Sequence, residues 1–204
     1  NWFAEAEAKE TIDPSAMFLA TVSPDGIPEG RVVLLKGVDD RGFVFYTNTT
    51  SAKGQALNHN PRAALCFYWK SLSRQIRITG ETAPVSDIEA DAYYNTRPRG
   101  SRIGAWASRQ SQILENRQAL IQQLEEYEEK FKEGDIPRPP YWSGFRLIPT
   151  YIEFWENKPF RLHDRLVYRR SEGIWFILQS TTNQLRVEYW GLGETSDLGY
   201  VGDF

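Results

Sequence analysis

Ala16-Met-Phe-Leu-Ala-Thr-Val22, Ser23-Pro-Asp-Gly26, Arg31-Val-Val-Leu-Leu-Lys36, Asp39-Asp-Arg-Gly42 and Phe43-Val-Phe-Tyr-Thr47 follow one another near the start of the chain. Three short apolar runs rich in β-branched and aromatic residues are separated by Pro/Asp/Gly turn chemistry. That pattern predicts strands over Ala16–Val22, Arg31–Lys36 and Phe43–Thr47 joined as a meander, the signature of an antiparallel sheet or barrel. Ala63–Trp69 and Gln75–Val85 extend it. Within the latter, Gln75, Arg77 and Thr79 alternate with Ile76 and Ile78 and so share one face. Phe145–Ile148 and Tyr151–Trp155 read as two strands or as one strand bent at Pro149. Leu166–Arg170 and Ile174–Leu178 read as a closing hairpin around Ser171-Glu-Gly173, and Leu185–Trp190 as a further strand candidate before a glycine-rich end.

Helices punctuate this β pattern. Trp2–Lys9 is a short one, ended before Asp13-Pro14. Ser51–Asn58 is a second, and His59 beyond it reads as a capping or surface residue. Ser86–Asn95 opens with Ser86 and Glu89 in capping-box spacing. Gln110–Lys132 is read as one long helix, with Ile113, Leu120, Leu124, Tyr127 and Phe131 on a single stripe. Arg97–Ser101 and Gly134–Pro140 read as loops. The sum is α+β, mainly β: an antiparallel barrel with a few flanking helices.

Composition narrows the function classes. The 204 residues carry a net charge of −3, which gives no electrostatic reason to expect nucleic acid or an anionic membrane. No apolar run is long enough to span a bilayer. Cys66 is the single cysteine, so no cysteine-based metal cluster or intrachain disulfide is expected, and a reducing, cytoplasmic setting fits. Aromatic residues make up 14%, which suits a flat ligand or an interface as well as a wide core. There is no dinucleotide fingerprint, P-loop, nucleophile elbow or zinc-protease motif, and no carboxylate pair stands out as acid and base. Hard chemistry would therefore belong to a bound cofactor.

Basic and hydroxyl residues gather at four places: Arg31 with Lys36, Thr47–Lys53, Arg97–Ser101 and Arg161–Arg165. Each alone reads more readily as a solvated surface loop. Together they match what a phosphorylated small molecule requires, namely Arg forks, Lys and hydroxyls. His163 lies between Arg161 and Arg165. Two neighbouring cations disfavour imidazolium, which leaves a neutral donor and acceptor.

Taken in order, Arg31-Val-Val-Leu-Leu-Lys36, Phe45-Tyr-Thr-Asn48, Arg74-Gln75, Arg97-Pro-Arg-Gly-Ser101 with Ile103-Gly-Ala105, Ser108-Arg-Gln-Ser111, Glu153-Phe-Trp155 and Arg161-Leu-His-Asp-Arg165 resemble the pyridoxine/pyridoxamine 5′-phosphate oxidase family. The resemblance runs from about residue 13 to Trp175. It implies a split β-barrel homodimer with FMN at the subunit interface, oxidising pyridoxine or pyridoxamine 5′-phosphate with oxygen. Arg31, Val32, Val33, Leu34, Leu35 and Lys36 would line the flavin. Tyr46, Thr47, Lys53, Gln75, Gln110, Ser111, Trp155 and Arg165 would also contact FMN, with Lys53 at its phosphate and Gln110 and Ser111 at the start of the long helix. Lys36, Tyr93, Arg97 and Ser101 would hold the substrate phosphate. Arg161, Leu162 and His163 would cover the substrate ring, with Arg161 and His163 as the catalytic pair.

The chain departs from the family pattern in three respects. Ala52 stands where a basic residue usually precedes Lys53. The sequence after Trp175 does not follow the usual ending, so residues 1–178 are expected to form the FMN-binding domain and 179–204 an atypical extension. The substrate-contacting N-terminal segment would lie upstream of Asn1. Two other functions share much of this pattern: a flavin oxidase acting on a phenazine-type ring, and a non-catalytic FMN- or pyridoxal-phosphate-binding protein. Lys36, Arg97 and Ser101 favour a phosphate-bearing substrate over the former, and Arg161 and His163 favour catalysis over the latter.

Overall fold

The computed structural model describes residues 2–171 together with the backbone of Ile174–Gln179 and Gln184–Glu188. The meander forms as its turn chemistry requires. Strand β1 (Ala16–Val22) pairs antiparallel with β2 (Pro28–Leu34) in unbroken register from Ala16↔Leu34 to Val22↔Pro28. Full pairing starts β2 three residues earlier than the apolar run implies and ends it at Leu34, so Leu35 and Lys36 leave the strand. The Lys36 N–H donates instead to Val44 O at 2.8 Å. A short β3 (Gly37–Asp39), not anticipated from sequence, pairs with β4 (Gly42–Asn48). Helix α2 (Ala52–His59) follows, with Ser51 as its cap accepting from Gly54 N, and His59 lies in its last turn. Then come β5 (Arg62–Trp69) and β6 (Arg74–Pro84).

The two candidate strands around Pro149 are one, β7 (Trp142–Glu156). Proline is tolerated there because the β6–β7 register shifts between Thr79 and Gly80, opposite it. β6 occupies one edge of β7 along its length. The other edge is divided: β4 pairs over Trp142–Leu147, and β8 (Asp164–Ser171) over Tyr151–Glu156. β9 (Ile174–Gln179) and β10 (Gln184–Glu188) continue outward from β8. The resulting ten-stranded sheet curls until β2 faces β4 without pairing to it, which leaves the barrel split along that seam.

Alternation sets the core. Met17, Leu19, Phe45, Phe67, Ile76, Ile78 and Leu147 point inward and are almost wholly buried. Helix α1 (Trp2–Lys9) closes one end, with Trp2, Phe3 and Ala6 on the core and the Phe3 ring 6.0 Å from Trp69. Residues of the opposite face are paired in register too, so Phe18, Val32, Tyr68, Gln75, Trp155 and Arg165 share the outer face of the sheet. Phe18, Val32 and Tyr68 are 48%, 66% and 61% exposed, an apolar patch that Gly30 helps to form by leaving room for the Phe18 ring.

The helical region differs from the sequence reading in two places. Arg97–Ser101 is not all loop. Pro98, with its fixed φ of −53°, precedes α4 (Arg99–Ala107), so Ser101 lies in a helix. The expected Gln110–Lys132 helix is only α5 (Arg117–Lys130), because Asn116 accepts from Ala119 N at 2.9 Å and starts the helix there. Gln110 and Ser111 therefore do not lie at a helix N-terminus: they form a turn in which Ser111 has φ 67°. Ile113 is fully exposed, whereas Leu124, Tyr127 and Phe131 do pack with Ile103 and Trp106 of α4. Helix α3 (Asp87–Thr96) is as expected, and the Ser86 hydroxyl accepts from Glu89 N at 3.2 Å. The Glu89 carboxylate completes no box; it bonds Arg146 at 2.6 Å.

The bulge at Gly80 leaves no space for a side chain, since a Cβ there would lie 2.0 Å from Ile148 O. Gly80→Ala is expected to destabilise the fold by about 1–3 kcal/mol through forced separation of β6 and β7. A urea titration reads this directly, and an unchanged midpoint would mean that the two backbones part freely.

Candidate functional site

The split between β2 and β4 opens into a cavity of about 700 Å³. Its β2 wall carries Arg31, Val32, Val33 and Leu34, with Lys36 just beyond the strand. The end of β4 supplies Tyr46 and Thr47, α2 supplies Lys53, and α3 with α4 supplies Tyr93, Arg97 and Ser101. Most residues expected at the flavin and at the substrate phosphate thus converge, although they come from five separate elements. Gln110 joins them from its turn, its Oε1 accepting from the Thr47 hydroxyl at 3.3 Å and from Asn48 N at 3.4 Å. Ser111 and Leu35 are not part of the lining; Leu35 turns into the core. Ala52 opens α2 with an exposed side chain and also lies outside the lining.

The electrostatics of the cavity ask for an anion. Lys53 is 8% exposed on the first turn of α2, and among the described residues it has no carboxylate partner. Burial, reinforced by the nearby Arg31 charge, lowers its pKa below the usual lysine value. Arg31 itself is held by Glu29 at 2.8 Å and by the Thr21 hydroxyl at 2.6 Å. Arg97 is half-buried, and its Nη1 lacks any hydrogen-bond partner. A buried donor left unmet, as Arg97 Nη1 is, costs about 1–3 kcal/mol, more when charged, and a buried lysine without a carboxylate likewise suits an anionic ligand such as a phosphate.

An aromatic wall sets the shape. The rings of Tyr46 and Tyr93 stack at 4.1 Å, and Trp142 lies parallel to Tyr46 at 5.3 Å. The Arg97 guanidinium sits 4.8 Å from the Trp142 ring centre, which fixes its plane by cation–π attraction. Burial, with Glu89 adding to it, pushes the Tyr46 phenol up to about 12, so it remains a donor at any physiological pH. Trp142 was missed from sequence, since nothing in Pro140-Tyr-Trp142 marks a ring that lies under an arginine.

The remaining expected residues form a second cluster that does not line the cavity. Gln75, Trp155 and Arg165 are in direct register across β6, β7 and β8 and make one row on the outer face. Next to that row, buried Glu153 accepts from Arg77 at 3.4 Å and from the Tyr151 hydroxyl at 3.1 Å, and it lies 3.9 Å from Arg165. A carboxylate 5% exposed among these groups holds the row in place, a role that its position in Glu153-Phe-Trp155 did not reveal. Beyond the row, a 3₁₀ turn (Pro159–Arg161) presents Arg161 and Leu162 to solvent. Phe160 and Arg161 both have left-handed backbone, at φ 58° and 62°, an arrangement that costs energy in non-glycine residues. His163 packs 4.7 Å from Trp155, and its Nδ1 accepts from the Lys158 N–H at 3.2 Å. In the neutral ring the proton is therefore on Nε2, which leaves a donor facing outward.

A split barrel with a cationic, aromatic-walled cleft and a second polar row on its outer face defines a protein built to hold a flat, phosphate-bearing ligand. Residues 4–131 match the pyridoxamine 5′-phosphate oxidase family, and residues 142–179 match the pyridoxine 5′-phosphate oxidase C-terminal dimerisation region. Pyridoxine/pyridoxamine 5′-phosphate oxidases of Brucella canis and Brucella suis are 59% identical over 176 residues, 85% of this chain and 87% of theirs. The chain belongs to the pyridoxine/pyridoxamine 5′-phosphate oxidase family. Among solved structures, PhzG from Burkholderia lata 383 in complex with tetrahydrophenazine-1-carboxylic acid is 35% identical, with a TM-score of 0.82 over 87% of both chains. A pyridoxamine 5′-phosphate oxidase-related, FMN-binding protein from Nostoc punctiforme has the same fold, with a TM-score of 0.71 at 20% identity over 87% of this chain and 94% of that one.

Lys53 gives the site a pH signature. Its lowered pKa means that it begins to lose its proton below the usual lysine range, and only the protonated form attracts a phosphate. FMN affinity of the apoprotein is therefore expected to fall as pH rises from neutrality toward 10, and Lys53→Met is expected to flatten that fall. Flavin-fluorescence titrations of parent and variant check this. Parallel profiles would remove Lys53 from the phosphate site.

Proposed function

We propose that this protein is an FMN-dependent oxidase that converts pyridoxine 5′-phosphate and pyridoxamine 5′-phosphate to pyridoxal 5′-phosphate. The observation that carries this reading is Arg97, whose Nη1 has no hydrogen-bond partner, beside buried Lys53, which has no carboxylate partner among the described residues, in one aromatic-walled cleft. They stand where two phosphates would be held, one of the cofactor and one of the substrate. FMN, held by Arg31, Tyr46, Thr47, Lys53 and Gln110, would supply a hydride acceptor for the C4′ carbon of the substrate that oxygen can reoxidise, with hydrogen peroxide and, from the amine substrate and water, ammonia as the other products. Lys36, Tyr93, Arg97 and Ser101 anchor the substrate phosphate. Arg161 and the Nε2 donor of His163 cover the ring and orient the reacting carbon. Orientation and charge neutralisation carry the protein's share of the rate enhancement. The relative that binds a phenazine carboxylic acid makes a ring oxidase without a phosphate anchor the second reading. Arg97 and Lys36 favour the phosphorylated substrate.

The protein is a homodimer, as its dimerisation region indicates. FMN lies at the interface, one subunit giving the β2–β4 cleft and the other the Gln75, Trp155 and Arg165 row. Val32 supports this arrangement, since it belongs to the cleft lining and also to the exposed apolar face. Residues 1–178 form the FMN-binding domain and 179–204 an extension, in a protein that works in the cytoplasm. Among the described residues no helix is long and apolar enough to cross a membrane.

Purified protein is expected to be yellow and to consume oxygen with pyridoxamine 5′-phosphate. Turnover with a phenazine precursor but none with the phosphorylated amine would reverse the assignment. Arg161→Ala is expected to lower turnover at least ~10-fold, the loss of one charged contact, with FMN content nearly unchanged. Tyr68→Glu places a charge on the outer face without touching the core. Light scattering is expected to show monomer, with flavin lost on gel filtration; a variant that stays a flavin-loaded dimer would exclude this face as the interface.

A further inference from the structure

We propose that Arg74 is a positioning residue for the Arg161–His163 turn, and that helix α1 braces the site through it. The inference rests on the reading of that turn as the substrate cover. Arg74 lies on the inward face at the start of β6, opposite Glu156 in register. Its Nε donates to Glu156 Oε1 at 2.9 Å and its Nη1 to Glu5 Oε2 of α1 at 2.6 Å. The guanidinium lies 4.4 Å from the Trp2 ring centre, and Trp2 in turn meets Phe154 edge-on at 5.3 Å.

The chain of contacts continues toward the site. Glu156 Oε2 holds Lys158 Nζ at 2.6 Å, and Lys158 also reaches Asp164 at 3.6 Å. The Asn157 N–H donates to Ser73 O at 3.0 Å, so the backbone between Glu156 and Lys158 is fixed against the residue preceding Arg74. The next N–H, that of Lys158, is the one that sets the His163 tautomer. Immediately beyond it are the two left-handed residues, Phe160 and Arg161. Left-handed non-glycine backbone persists only where its surroundings over-determine it. The turn's own bonds are Leu162 N–H to Pro159 O at 3.2 Å and Lys158 N–H to His163 Nδ1, and Lys158 is in turn held by Glu156, the partner of Arg74. Only an Arg can span Glu5 and Glu156 with separate nitrogens while stacking on Trp2; a lysine offers a point charge and no plane.

Two other arginine clusters serve a different part of the fold. The Arg146 pairs with Asp39 and Glu89, and those of Arg138 with Asp87 and Asp91, tie α3 to the strands and loops beneath it. The Arg74 pairs end two residues from the turn itself.

The chain contains two histidines, so imidazole ¹⁵N spectra of the FMN-loaded protein resolve His163 with His59 as an internal reference. The parent is expected to show His163 with its proton on Nε2. Arg74→Lys and Glu5→Gln are both expected to move His163 toward mixed tautomers and leave His59 unchanged. Turnover is expected to fall roughly 3- to 10-fold with little change in the substrate KM, as for one weakened charged contact. Glu7→Gln, on α1 but outside the network, is expected to do neither. Glu5→Gln changes only a partly exposed helix residue and so remains readable if Arg74→Lys folds poorly. His163 signals identical to the parent in folded Glu5→Gln would overturn the brace. So would a change in Glu7→Gln equal to that in Glu5→Gln, since that would reflect general loosening of α1. If the protein proved inactive on the phosphorylated substrates, the functional reading would fail while the spectra still tested the brace.

Discussion

One strand sets the limits for everything else. β7 runs fifteen residues and must satisfy two edges. β6 takes one edge whole, while β4 and β8 share the other end to end. That division is possible only because the strand bends at Pro149, where the missing N–H and the Gly80 bulge fall opposite each other. β4 is thereby turned toward β2 and forms the far wall of the cleft. β8 is turned the other way and delivers Arg165 and the preceding turn to the outer face. The separation of the two functional clusters follows directly from how β7 distributes its hydrogen bonds.

The strands were legible because their signals are local. Alternation in Gln75–Thr79 and the turn residues at Ser23–Gly26 need no tertiary information, and both are found as read. The single strand across Pro149 stayed ambiguous, since a bulge is specified by the partner strand as much as by the bent one. The long helix was misread for a similar reason. Ile113 continues the apolar stripe at the right spacing, but a stripe carries no information on whether anything packs against it. Asn116 offered the backbone a cap, and among the described residues none covers Ile113 to oppose it. At the site, residue identities were legible from the family resemblance, and their grouping was not. Lys53 and Arg97 lie far apart in sequence, and only the curled sheet shows them facing one cleft. Trp142, which lines the cleft, and Glu153, which holds its neighbours, carry no local signal.

The cleft is built at some cost to the empty fold. Lys53 is buried without a counter-ion and Arg97 has an unmet nitrogen. Either group could have been satisfied by one carboxylate, as Arg31 is by Glu29 and Arg146 is by Asp39 and Glu89. Arg31 also lines the cleft and keeps its Glu29 partner, so the openness is particular to Lys53 and Arg97. An anionic ligand bound there would remove that penalty, and the stability gained would grow with the logarithm of its concentration above Kd.

The outer-face row follows a different logic. Gln75, Trp155 and Arg165 are ordered by backbone register and by buried Glu153, with no cavity of their own to occupy. Side chains fixed this firmly on an open face are preorganised for something that arrives from outside the subunit. Phe18, Val32 and Tyr68 on the same face are apolar enough to keep a second copy there. A flavin held between a cleft in one subunit and a rigid row in the other would be gripped on both sides by elements of regular structure, and neither subunit would need to move to enclose it. The strained turn carrying Arg161 and His163 belongs to neither a strand nor an α-helix, so side-chain pairs such as those of Glu156 and Lys158 contribute to its support.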